Sequence, residues 1–226
     1  MDKRQYQMVE YYMLQCMEDS AHDREHVYRV LYTALMIAQK ETAVDRDVLA
    51  AACLLHDIGR KEQFADPSLC HARVGGEKAF RFLTDNGFDE EFAARVRDCI
   101  AAHRYRENNQ PQSLEAKILF DADKLDVAGA MGIARTLLYQ GKVGTPLYHR
   151  MADGAVCDGT METEPSFFQE YKFKLENLYD RFYTEQGRAM ALSRRQAAVD
   201  YYHALYGEIL EANRAGREIL ENLFPK

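Results

Sequence analysis

Residues 51–59 read Ala51-Ala52-Cys53-Leu54-Leu55-His56-Asp57-Ile58-Gly59. This is the end of a buried helix. Leu49, Ala52, Cys53 and His56 follow i, i+3, i+4, i+7 spacing, so His56 lies on the apolar face. Gly59 is the expected left-handed stop. The anomaly is Asp57. An ionised carboxylate in such apolar company costs several kcal/mol unless it is paired. Its partner must be an arginine, a histidine or a metal ion.

Composition narrows the setting. The chain has 226 residues, 47% hydrophobic and 29% charged, the balance of an ordinary globular protein. Its 14 Tyr and 11 Phe can fill a core without Trp. There is no apolar run of membrane-spanning length and no amino-terminal signal pattern, so no membrane partner and a cytoplasmic location are the default expectation. The five cysteines are an odd number without a CxxC pair and read as reduced thiols. A net charge of −7 argues against binding a nucleic-acid polymer but leaves a small anionic ligand open.

Outward from the central stretch, helical spacing dominates and strand-like alternation is missing. Helices are predicted over residues 3–19, 23–40, 45–58, 71–85, about 89–103, 114–127 and on to 139. Two long amphipathic helices follow, 166–183 and 187–222. Asp89 and Ser113 are helix caps, and Asn86-Gly87 is a stop. Residues 140–165 hold four glycines and two prolines among polar residues and read as a loop or lid. The Tyr-rich carboxy-terminal faces read as packing against the core, with a homodimer as a further possibility.

Four patterns carry chemistry: His26 in His-Val-Tyr-Arg-Val, the His56-Asp57 pair, His103 in Ala-Ala-His-Arg, and the run Asp121-Ala-Asp123-Lys-Leu-Asp126. Each lies on or beside an inward stripe. Any one histidine on an apolar face is ordinarily a satisfied core residue. Together, buried His and Asp from several helices without a matching supply of inward arginines favour a metal. Imidazole and carboxylate ligands suit Mn, Fe, Co, Ni or Mg, and two of each leave coordination positions open for hydrolysis. Periodicity does not decide which aspartate of the run is used.

The order His … His-Asp … Asp resembles the HD-domain metal-dependent phosphohydrolases over about residues 20–140. His26 with Arg29-Val30, Leu55-His56-Asp57-Ile58-Gly59, and Glu115-Ala116-Lys117-Ile118 through Asp126 with Gly129 and Gly132-Ile133-Ala134-Arg135 carry the likeness. It is closest to small stand-alone bacterial HD proteins, some of them nucleoside triphosphate pyrophosphohydrolases. The resemblance implies an all-α HD helical bundle with additional carboxy-terminal helices. It implies one domain spanning residues 1–226: a motif core at 20–140, the 140–165 loop, and helices 166–226 packed on the core.

The resemblance assigns His26, His56, Asp57 and Asp123 as ligands, choosing Asp123 over Asp121. Asp57, Lys124 and His103 take catalytic roles in this reading. Lys124, Arg104, Lys61 and Arg135 are the substrate-binding cations, whereas Arg60 and Arg106 read as solvated charge. His22 either orients a ligand or caps a turn. His71 and His103 stand where binuclear relatives add two histidines; one metal is the primary expectation and two the alternative. The implied reaction is hydrolysis of a phosphorylated small molecule, a nucleotide, cut between its α and β phosphates. Two rivals remain: a nucleotide-sensing HD module without turnover, and a di-iron HD oxygenase.

Overall fold

A computed structural model describes residues 1–17, 24–104 and 109–224. The architecture is all-α. The helices are α1 Lys3–Met17, α2 Arg24–Ala38, α3 Arg46–Leu55, α4 Arg60–Ala65, α5 His71–Asp85, α6 Glu90–Ala102, α7 Leu114–Leu125, α8 Gly129–Val143, α9 Phe167–Glu170 and α10 Glu185–Leu223. The β structure among the described residues is an isolated antiparallel bridge between Arg150 and Val156. No helix among them is long and apolar enough to cross a membrane. All five cysteines are free, and Cys53, Cys99 and Cys157 are buried.

The chain forms two compact units. The first comprises Met1–Asp126 with Phe182–Arg188, and the second Val127–Arg181 with Ala189 onward.

In the first unit α3 is the hub, packed against α1, α2, α5, α6 and α7. Val48, Leu49 and every residue from 51 to 59 are buried. A helix enclosed in this way must be apolar all round, which is why its sequence is so rich in Ala and Leu. The expected α2 stripe is buried in full: Val27, Val30, Leu31, Ala34, Ile37 and Ala38. The caps form as the sequence indicates. The Asp45 carboxylate accepts from Asp47 N and Val48 N at 3.1 and 3.2 Å. Asp89 accepts from Phe92 N at 3.1 Å and the Ser113 hydroxyl from Ala116 N at 3.1 Å. Gly87 follows α5 with φ of 80°.

Gly59 departs from expectation. Its φ of −91° and ψ of 5° are not left-handed. It is glycine because the backbone of α5 passes directly over it. A Cβ there would collide with the His71 carbonyl oxygen and lie 2.6 Å from Gly75 N. The facing Gly75 completes the close approach, and that approach delivers His71. The loop expected after the doublet also contains α4, a six-residue helix.

In the second unit α8 runs to Val143, so residues 140–143 are helix rather than loop, and Gly144 closes it with φ of 76°. The predicted helix over 166–183 is a larger difference. Only α9 forms there, followed by a π-helical turn at Tyr171–Leu175, and the chain then turns. Tyr171, Leu175, Leu178, Tyr179 and Phe182 are all buried, so an irregular segment keeps helical apolar spacing. The Asn177 side chain donates to the Lys172 carbonyl at 2.6 Å, taking an acceptor that a continuing helix needs. Tyr171 stacks on Tyr202 of α10 with centroids 4.1 Å apart. Of the other tyrosines expected in packing, Tyr179 is buried, Tyr206 is half-buried, and Tyr183 and Tyr201 are exposed.

Gly59→Ala is expected to lower unfolding free energy by about 2–3 kcal/mol, because backbone rather than a flexible side chain must give way. Urea denaturation of the two proteins measures it, and a loss under about 0.5 kcal/mol would contradict the crossing.

Candidate metal centre

Six side chains meet inside the first unit. α2 supplies His26 near its start; the turn after α3 supplies His56 and Asp57. α5 opens with His71, α6 is followed by His103, and α7 carries Asp123. All four rings and Asp57 are at most 2% exposed, whereas Asp123 is 24% exposed.

The atoms form two sets that could each hold a metal ion: His26, His56 and Asp123, and Asp57, His71 and His103. Asp57 links them. Its Oδ2 lies 3.6 Å from His26 Nε2 and 3.7 Å from His56 Nε2. Its Oδ1 lies 3.5 Å from His71 Nε2 and 3.8 Å from His103 Nε2. Asp123 Oδ1 stands 3.3 Å from His26 Nε2.

Every ring has its far nitrogen engaged. His56 Nδ1 donates to Cys53 O at 2.7 Å and His103 Nδ1 to Ile100 O at 2.6 Å. His71 Nδ1 bonds Gln63 Oε1 at 2.8 Å, and Gln63 Nε2 donates to Leu69 O, which fixes the amide so that its oxygen faces the ring. His26 Nδ1 bonds Asp126 Oδ2 at 2.7 Å. These bonds leave the Nε2 atoms facing one another, at 3.3 Å in the His26–His56 pair and 3.3 Å in the His71–His103 pair. Two imidazole lone pairs so placed suit a shared cation. Asp57 Oδ2 is fully buried and accepts no hydrogen bond among the described residues. The donor set and this orphaned oxygen fit a divalent ion.

Protonation agrees. Burial pushes the Asp57 carboxyl up, but His56, Arg60 and His26 outweigh it and hold it well below the ordinary carboxylate range. Asp123 is likewise held low, chiefly by His26 against its burial. Burial lowers His56. Burial, then Arg60, lowers His71 to about 2, and burial, then His56, lowers His103 to about 4. Three rings are therefore neutral and the carboxylates charged, the forms that ligate metals. His26 differs: burial lowers it, but Asp123 and Asp126 raise it to about 9, so this position attracts positive charge.

The three aspartates at the end of α7 and its cap separate into three roles. Asp123 joins the centre. Asp121 is fully buried and accepts from Tyr183 N, Thr184 N and the Thr184 hydroxyl at 2.9, 2.7 and 2.6 Å, anchoring the start of α10. Asp126 grips His26 and is itself held by Arg29, with Nε to Oδ1 at 2.7 Å and Nη2 to Oδ2 at 3.1 Å. Asp126 thus orients the His26 ring; His22 and Arg106, about which the sequence raised expectations, lie outside the described residues.

The expected cations are spread out. Lys124 follows Asp123, with Nζ 5.3 Å from the Phe120 ring centre. Lys61 is exposed on α4, and Arg135 is half-buried on α8 in the second unit. Arg104 donates to Cys70 Sγ at 3.8 Å and lines a cavity of about 390 Å³ with Cys70, Arg73 and Arg97. Arg60 is not solvated charge: its Nε donates to Asp57 Oδ1 at 2.9 Å.

A buried His/Asp centre in an all-helical unit defines the class of the HD-type hydrolase fold. Residues 24–128 match the HD domain, and the chain belongs to the HD-domain family. It is 30% identical over 197 residues to YpgQ of Bacillus subtilis, covering 85% of this chain and 86% of that one. The structure of B. subtilis YpgQ in complex with ADP is similar, with a TM-score of 0.70 and 28% identity, covering 91% of this chain and 95% of the other. An HD superfamily hydrolase from an uncultured Thermotogales bacterium is similar with a TM-score of 0.60 and 30% identity, covering 91% and 92%.

Asp126→Ala is expected to weaken divalent metal binding by about 10–100-fold, because His26 loses the group that fixes its ring. Calorimetric titration with Mn²⁺ measures this, and an unchanged affinity would contradict it.

Proposed function

We propose that the protein is a metal-dependent phosphohydrolase acting on a nucleotide, and specifically a nucleoside triphosphate pyrophosphohydrolase. The observation that carries this reading is the convergence of His26, His56, Asp57 and Asp123, with the outer nitrogens of both rings already tied to the fold. A relative with the same fold is known in complex with ADP, which supports a nucleotide as the ligand class.

His26, His56, Asp57 and Asp123 would hold a divalent ion, which would supply Lewis acidity and lower the pKa of a water when bound. The residues do the rest. Asp126 and Cys53 O keep the His26 and His56 lone pairs aimed inward, so little reorganisation accompanies binding. Lys124, beside Asp123, neutralises charge on the non-bridging oxygens of the substrate. Within the first unit, Arg104 and Lys61 are the further candidates for phosphate contact.

The Asp57–His71–His103 set could hold a second cation, which the oxygenase rival requires. The sensor rival needs no complete ligand set.

The experiment is a panel of ribo- and deoxyribonucleoside triphosphates with Mn²⁺, Co²⁺ or Mg²⁺, read by pyrophosphate and phosphate release. Pyrophosphate release that disappears in Asp57→Ala, by about 10³-fold or more in kcat, is expected. Full activity of Asp57→Ala in metal-supplemented buffer overturns the mechanism. No turnover with any nucleotide favours the sensor, and oxygen consumption with two irons per chain favours the oxygenase.

A further inference from the structure

We infer that Arg60 sets how many metal ions the centre holds, its guanidinium standing on Asp57 in place of a second cation. This rests on the metal reading proposed above.

The two sets of donors differ in charge. His26, His56 and Asp123 with Asp57 bring two carboxylates to one point, enough to neutralise a divalent ion. The one carboxylate of the second set, Asp57, is shared with the first. His71 and His103 face only Asp57 Oδ1, the other oxygen of a group the first set already uses. That same oxygen accepts from Arg60 Nε at 2.9 Å, closer than either imidazole. A guanidinium cannot lose its proton at any ordinary pH, so the positive charge there is permanent. A divalent ion bridging Asp57 to His71 and His103 would meet it at short range and lose one of the oxygen's lone pairs to it.

Arg60 is held where it is by a neighbour of the same cluster. Its Nη1 approaches Gln63 Oε1 at 3.5 Å, and that oxygen also receives His71 Nδ1. Yet the side chain is 26% exposed and sits at the first residue of the short helix α4. It can be shortened, or swing out to water, without opening the core. Charge rather than shape is therefore what it contributes, and Lys should replace it where Met should not.

The test is Mn²⁺ binding to the purified full chain and to Arg60→Met and Arg60→Lys, by equilibrium dialysis with elemental analysis and by electron paramagnetic resonance. Wild type is expected to hold one ion tightly and a second at least about tenfold more weakly. Arg60→Met is expected to tighten the second site by about tenfold or more and to give an exchange-coupled two-ion signal, because both ions then share Asp57. Arg60→Lys should behave as wild type, and His71→Ala added to Arg60→Met should remove the second ion alone. The inference is overturned if Arg60→Met keeps the first ion but leaves the second site unchanged, or if wild type binds two ions equally tightly. A wild type that binds no ion overturns the metal reading itself, and this inference with it.

Discussion

A single buried carboxylate constrains the first unit. Asp57 is 1% exposed and turns one oxygen toward His26 and His56 and the other toward His71 and His103. A charge in that position is tolerable only if four side chains and a cation share it. The packing follows from this demand. α3 must be enclosed so that its end reaches the interior, and it is surrounded by five helices. Gly59 and Gly75 must lack side chains so that α5 can pass close enough to deliver His71.

The four rings of the candidate centre are held from behind. Two rings are tied to the backbone three residues earlier, at Cys53 O and Ile100 O. The other two are tied to side chains, Asp126 and Gln63. Such outer bonds fix the tautomer and keep ligation from costing much side-chain entropy. Arg29 and Arg60 then balance charge from opposite ends, one on Asp126 and one on Asp57.

Much of this was legible in local patterns, and the failures share one cause. The α2 stripe, the Asp89 and Ser113 caps and the enclosed α3 follow from spacing, which depends on neighbours a few residues away. Asp126 could not be placed that way. Its partners Arg29 and His26 are 97 and 100 residues distant, and spacing along α7 treats its three aspartates alike. Glycine after a helix is commonly a stop, whereas Gly59 clears a path for another helix's backbone. Arg60 sits at the start of a short, exposed helix, where arginine is ordinarily solvated; only the fold shows that it faces a buried carboxylate. The 166–183 segment deceived because its buried residues keep helical spacing through a π turn and the bend after it.

The most direct measurement is anomalous X-ray scattering at the manganese edge from crystals of the Mn²⁺-loaded protein. A peak bonded to Nε2 of His26 and His56 and to the carboxylates of Asp57 and Asp123 is the predicted result. A manganese peak elsewhere, with these six side chains unligated, would contradict it.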